Sequence, residues 1–123
     1  MPLEKFHVLV IDDNEDILFM LKAMLNFKGY TVSVKENTDD LENFITALSP
    51  SIIIMDMLLS GADGREICKQ IKATPRLSSI PILMISAHPQ AKEECFAAGA
   101  NYFLAKPFEM NDIFETLSRA LSQ

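Results

Sequence analysis

Asp12-Asp13, Asp56, Ser86 and Lys106 are far apart in the chain, yet each follows closely on a short apolar run. Two carboxylates about 4 Å apart repel by about 4 kcal/mol at an effective dielectric of about 20, so acids gathered in one place need a proton or a cation. Mg2+ suits such a set, because it takes oxygen ligands, keeps several waters and is held by one or two carboxylates together with phosphate oxygens. Lys106 adds a point charge and Ser86 a hydroxyl donor, both matched to a phosphoryl group in transfer. The chemistry these residue types describe is in-line attack of the Asp56 carboxylate on phosphorus, with metal and Lys106 supplying electrostatics.

Those residues meet only if the apolar runs are strands of one sheet. Residues 6–11 are apolar over a strand's length and halt at Asp12, Asp13 and Asn14, which suit a turn and a helix cap. Ile17, Leu18, Leu21, Met24 and Leu25 then recur at helical spacing up to Lys28-Gly29, a glycine-terminated helix end. Tyr30, Val32 and Val34 alternate with polar residues, as in a half-buried edge strand. Asn37-Thr38-Asp39-Asp40 opens a helix striped by Leu41, Phe44, Ile45 and Leu48, and Ser49-Pro50 breaks it.

Residues 52–55 are apolar without alternation, the mark of a central parallel strand covered on both faces, and the run ends at Asp56. A loop through Ser60-Gly61 and Gly64 precedes a helix carrying Ile67, Cys68 and Ile71, stopped by Thr74-Pro75. A second buried strand, residues 82–85, ends at Ser86. A weaker Ala-rich helix is predicted over 90–98 with Gly99 as its cap, then a strand over 102–104 and a helix striped by Met110, Ile113, Phe114, Leu117 and Leu121. Five βα units with short connections call for a parallel sheet between helices, with right-handed crossovers. In such sheets ligands bind outside the carboxyl ends of the strands, where the residues above are found.

At 123 residues the chain is long enough for one domain with one core, and 49% hydrophobic with 23% charged residues is an ordinary globular balance. A net charge of −6 works against nucleic-acid backbones and anionic lipid, both of which need clustered Lys and Arg. Direct nucleic-acid binding and membrane association are therefore not expected. No signal-peptide pattern or run of about 18 apolar residues is present, so a cytoplasmic location is expected. Cys68 and Cys95 have no C-x-x-C pairing and read as reduced structural thiols. His7 and His88 have no partner at motif spacing.

Along essentially its whole length the sequence resembles the receiver domain of two-component response regulators. The resemblance rests on Val8-Leu9-Val10-Ile11-Asp12-Asp13, on Asp56 with Asp63-Gly64, on residues 80–87, and on Gly99-Ala100 leading to Phe103 and Lys106-Pro107-Phe108. It implies an α/β, flavodoxin-like, doubly wound five-stranded parallel sheet of order 2-1-3-4-5 with five helices. Residues 1–123 would form a single receiver domain, with no effector domain in this chain. Asp56 would be the phosphoacceptor, Asp13 a direct Mg2+ ligand, Asp12 a ligand mainly through water, and the Leu58 backbone carbonyl the remaining protein ligand. Ser86 would bond the phosphoryl group and draw its loop inward, Phe103 would change rotamer in response, and Lys106 would pair with the phosphate. The Lys106–Pro107 bond would be cis.

The donor implied is a phosphohistidine on a sensor histidine kinase or a histidine phosphotransfer protein. The implied output is a changed partner-binding surface around the fourth helix, fifth strand and fifth helix, which could also serve a phosphorylation-dependent homodimer. Such a protein is a signalling domain, not an enzyme, and catalyses only its own phosphoryl transfer and autodephosphorylation. Two departures stand out. Leu59-Ser60 occupies the position where the family often has Met-Pro, and an apolar Leu58 cannot position an attacking water, which predicts slow self-dephosphorylation. Among other functions, a flavin carrier would be repelled by Asp12, Asp13, Glu15 and Asp16, a nucleotide hydrolase would need the absent G-x-x-x-x-G-K-[ST], and an aspartyl phosphatase usually has Asp where Leu58 stands. The alternative from another class is a non-phosphorylated pseudo-receiver acting as an interaction module, against which the intact acid, Ser86 and Lys106 set argues.

Overall fold

The structure is a computed structural model that describes residues 5–121. Strand β1 (His7–Ile11) leads into helix α1 (Glu15–Lys28), followed by β2 (Thr31–Lys35) and α2 (Leu41–Leu48). After β3 (Ile52–Asp56) come two two-residue strands, β4 (Leu58–Leu59) and β5 (Ala62–Asp63), and then α3 (Gly64–Ala73). The chain continues through β6 (Ile82–Ser86), α4 (Lys92–Ala97), β7 (Tyr102–Ala105) and α5 (Met110–Leu121). The five long strands form one parallel sheet in the order β2-β1-β3-β6-β7, which is 2-1-3-4-5 once the short β4–β5 pair is set aside.

Side chains alternate across a strand, so the unbroken apolar runs of the central strands supply two cores at once. Leu9, Ile11, Ile53, Met55, Ile82 and Met84 face Leu41 and Ile45 of α2, Cys68 and Ile71 of α3 and Cys95 of α4. Val8, Val10, Ile52, Ile54, Leu83 and Ile85 face Leu18, Leu21 and Leu25 of α1 and Ile113, Leu117 and Leu121 of α5. Cys68 and Cys95 are free and buried, and burial pushes the Cys68 thiol up to about 11, which leaves it inert.

Helix α1 is capped as its sequence suggests. The Asn14 side chain accepts hydrogen bonds from the Asp16 and Ile17 N–H groups at 2.9 and 3.1 Å, and at the other end the Gly29 N–H, at φ 120°, reaches the Asn26 and Leu25 carbonyls. Helix α2 follows the polar entry and stops at Ser49 as expected, and it is entered and left through Asp40 and Ser49, both left-handed at φ 51° and 50°. Two expectations need correction. The helix expected over 90–98 is split into a 3-10 turn, Pro89–Ala91, and a short α4, because the Ala91 and Lys92 N–H groups close three-residue bonds onto the His88 and Pro89 carbonyls. The loop after Asp56 is a small antiparallel ladder, pairing Leu58 with Asp63 and Leu59 with Ala62.

Candidate acidic site at the strand ends

Parallel register brings the strand ends to one edge. Ile11 pairs with Met55 and Asp56 with Ile85, so Asp12 follows β1 beside Asp56. Ser86 pairs with Ala105, which sets Lys106 one residue past the sheet, and the Lys106 N–H donates to the Ser86 carbonyl at 2.8 Å. Carboxylate oxygens of Asp12, Asp13 and Asp56 all lie within 4.8 Å of one another, and this is the acidic cluster of metal-binding size among the described residues. Lys106 Nζ donates to Asp56 Oδ2 at 3.1 Å.

Each acid is held differently. Asp12 is buried and its Oδ1 accepts the Asn14 N–H at 2.9 Å, while exposed Asp13 accepts the Ser60 N–H at 2.7 Å. The Leu58 N–H reaches Asp56 Oδ1 at 3.3 Å. Burial holds the Asp12 carboxyl above the usual carboxylate range; the Asn14 N–H opposes this, Asp56 and Asp13 add to it, and Lys106 opposes it. Because the cap of α1 is Asn14, neither Asp12 nor Asp13 is spent on capping.

Those donors fit Mg2+. They are all oxygens, they converge, and one of them is buried at the cost of an elevated pKa that a cation would relieve. A consequence can be measured without activity. A raised folded-state pKa favours folding below the ordinary carboxylate range and loses that stabilisation as pH rises through the elevated value. At neutral pH, therefore, Asp12→Asn is expected to melt at a higher temperature than wild type in EDTA. Mg2+ is expected to raise the melting temperature of wild type more than that of the variant. A lower Asp12→Asn melting temperature in EDTA would show that the acids do not oppose folding.

Residues 8–118 match the response regulator receiver domain family. The chain belongs to that family. Among curated relatives, the transcriptional regulatory protein YkoG of Bacillus subtilis is 28% identical over 123 residues, which cover 98% of this chain and 53% of YkoG. This receiver domain spans about half the length of the curated relatives it matches. The structure of the chemotaxis protein CheY4 of Vibrio cholerae is similar at 29% identity and a TM-score of 0.86, covering 94% of this chain and 98% of that one. The receiver domain of the sensor histidine kinase PA1611 of Pseudomonas aeruginosa, solved with a magnesium ion coordinated in its active-site cleft, is 27% identical with a TM-score of 0.85 and coverage of 96% and 98%. Among the described residues no helix of the receiver domain is long and apolar enough to cross a membrane.

Of the residues singled out from the sequence, the receiver structure joins Asp12, Asp13, Asp56 and Lys106 directly. Ser86 is adjacent but turned to its own loop: the buried Oγ accepts the His88 N–H at 2.9 Å. Phe103 is partly buried, packed on the side of the sheet that carries α2, α3 and α4. The Lys106–Pro107 bond is cis. His7 is used structurally, its Nε2 lying 2.7 Å from Ser33 Oγ. Gly64 has a positional role that its place in a loop did not disclose. A Cβ there would stand 2.6 Å from the Asp56 carbonyl oxygen and 2.9 Å from that of Met57, so the first turn of α3 is pressed against the acceptor's own backbone.

Proposed function

We propose that this receiver domain is a phosphorylation switch in which Asp56 accepts a phosphoryl group from a phosphohistidine, with Mg2+ held by Asp12, Asp13, Asp56 and the Leu58 carbonyl. The observation that carries the reading is Asp56 itself: a carboxylate on Lys106, within reach of two further acids, at the open edge of a parallel sheet. An Asp56 oxygen attacks phosphorus; the P–N bond to the donor imidazole breaks, its electron pair stays on nitrogen, and an aspartyl phosphate remains. Bound Mg2+ would supply positive charge to the carboxylates and the phosphoryl oxygens. Lys106 turns from the carboxylate toward a phosphoryl oxygen, and Ser86 Oγ exchanges the His88 N–H for that same group. Phe103, next to Ser86's strand, then repacks and alters the surface around α4, β7 and α5. A sensor histidine kinase or a histidine phosphotransfer protein is the donor this chemistry requires.

The direct test is intact-mass measurement after incubation with Mg2+ and a small acyl phosphate. A single adduct, lost on brief treatment with acid, is expected; no adduct, or an acid-stable one, would overturn the proposal.

Leu58 bears on the lifetime of that adduct. Its side chain is 50% exposed beside the acceptor and offers a water no hydrogen bond. Leu58→Asn is expected to shorten the phosphorylated half-life by up to about tenfold, the effect on a rate of one added hydrogen bond of about 1 kcal/mol to the attacking water. Decay of the intact-mass signal after removal of donor measures it, and an unchanged half-life would clear Leu58 of this role.

A further inference from the structure

Each acid of the cluster rests on a main-chain N–H, yet the three are held unequally. Buried Asp12 takes the Asn14 N–H of its own turn, and Asp56 has both oxygens engaged, Oδ1 by the Leu58 N–H and Oδ2 by Lys106. Asp13 is exposed and lies between strand and helix, so neither burial nor regular backbone orients its side chain. Its Oδ2 accepts the Ser60 N–H at 2.7 Å, the shortest of these four bonds, and its Oδ1 has no hydrogen-bond partner among the described residues.

We infer that the Ser60 N–H is a positioning donor for Mg2+: by holding Asp13 Oδ2 it fixes an exposed carboxylate and leaves Oδ1 for the cation, and it couples the β4–β5 ladder to metal binding. The inference rests on the proposed Mg2+ site and adds to it a residue that touches no metal. A carboxylate free to change rotamer loses that freedom when it takes a cation, and a bond already made reduces the loss. A main-chain N–H on a carboxylate is charge-assisted, and 2.7 Å is at the short, strong end for such a bond. A cation held through one carboxylate oxygen leaves the bond on the other intact, and hydrogen bonds of this kind to metal-bound carboxylates are typically worth about 10–100-fold in affinity.

The donor is carried on a braced element. Ser60 and Gly61, the latter at φ 74°, form the two-residue turn between β4 and β5, and the pairing of Leu59 with Ala62 beneath them leaves the Ser60 N–H to Asp13. The base of the ladder is tied by the Leu58 N–H to Asp56 at 3.3 Å and by the Gly64 N–H to the Met57 carbonyl at 2.6 Å. Ser60 ties its tip to Asp13, 47 residues away in the chain. Leu58, whose carbonyl is a proposed ligand, lies in the same ladder, so one bond serves two of the ligands. Such coupling is reciprocal: whatever factor the Ser60 bond adds to Mg2+ affinity, bound Mg2+ adds to the stability of that bond.

Calorimetric titration of the full chain with Mg2+ is expected to give Ser60→Pro, which lacks the N–H, a dissociation constant about tenfold above that of wild type. Ser60→Ala discards the hydroxyl and keeps the N–H, and is expected to retain the wild-type value. A second measurement needs no variant and so does not depend on how well Ser60→Pro folds. Exchange of the Ser60 amide hydrogen in wild type, followed by NMR, is expected to slow about tenfold when Mg2+ saturates the site, the same factor by reciprocity. An unchanged Mg2+ constant in a folded Ser60→Pro, a weakened one in Ser60→Ala, or Ser60 exchange that stays the same or quickens with Mg2+ would each overturn the inference while leaving the metal site standing. A wild type that binds no Mg2+ would overturn the metal site and the inference together.

Discussion

Asp56→Asn is expected to fold normally and to show no phosphoryl adduct under conditions that label wild type fully. An amide oxygen is a poor nucleophile and cannot form an aspartyl phosphate, so the effect is a loss of the reaction and not a graded slowing. The fold should tolerate the change. The Asn amide oxygen can still accept from Lys106 Nζ, and removing one of three converging carboxylates relieves their mutual repulsion, which offsets the loss of the ion pair. Circular dichroism melts and intact-mass spectra of the two proteins, taken side by side, measure both halves. An adduct persisting in the variant would move the acceptor to Asp12 or Asp13. Neither is as well placed: Asp12 is buried and held by the Asn14 N–H, and Asp13 is turned to Ser60 and has no ion pair among the described residues.

Gly64→Ala is the second large effect, and it reaches the site from outside. The added methyl group would meet the Asp56 and Met57 carbonyl oxygens at 2.6 and 2.9 Å, and both are backbone atoms that can yield only by moving the strand end. The Gly64 N–H also donates to the Met57 carbonyl at 2.6 Å, so α3 cannot simply swing away without giving up that bond. Overpacking of this kind typically costs about 1–3 kcal/mol. A displacement of about 1 Å at a reacting group can slow it by up to about a hundredfold. The variant is therefore expected to melt several degrees lower and to take up phosphate from a small donor at least about tenfold more slowly. A normal melting temperature with a normal rate would show that the contact yields freely.

What could be read from the amino-acid order was what periodicity reports. The unalternated runs at 52–55 and 82–85 became the central strands, and the alternating segment after Gly29 became the edge strand β2. Acids and lysine were placed at one edge because parallel strands must all end there. Features that depend on backbone groups escaped. Nothing in Leu58-Leu59 or Ala62-Asp63 announces a two-residue ladder, since strands this short have no period. The Ser60 N–H on Asp13 is a main-chain donor that any residue but proline could supply; where the family often has Met-Pro, Leu59-Ser60 thus ties the loop to the acidic site by a hydrogen bond. Asp40 and Ser49 hold left-handed backbone at the two ends of α2; Asp is one of the few side chains that visit that region, but no periodicity marks where it does so.

The order in which the strands sit in the sheet has a consequence during synthesis. Asp12 and Asp56 come from β1 and β3, which are neighbours, but the lysine that completes the site follows β7, a strand that can dock only on β6. A chain emerging from the ribosome could thus present its acids early, yet it would hold an unneutralised cluster until Lys106 is exported and threaded into place. Under the proposed function, competence of Asp56 to be phosphorylated is in this sense a signature of a finished sheet: an upstream donor would pass its signal only to molecules in which β7 has already docked on β6.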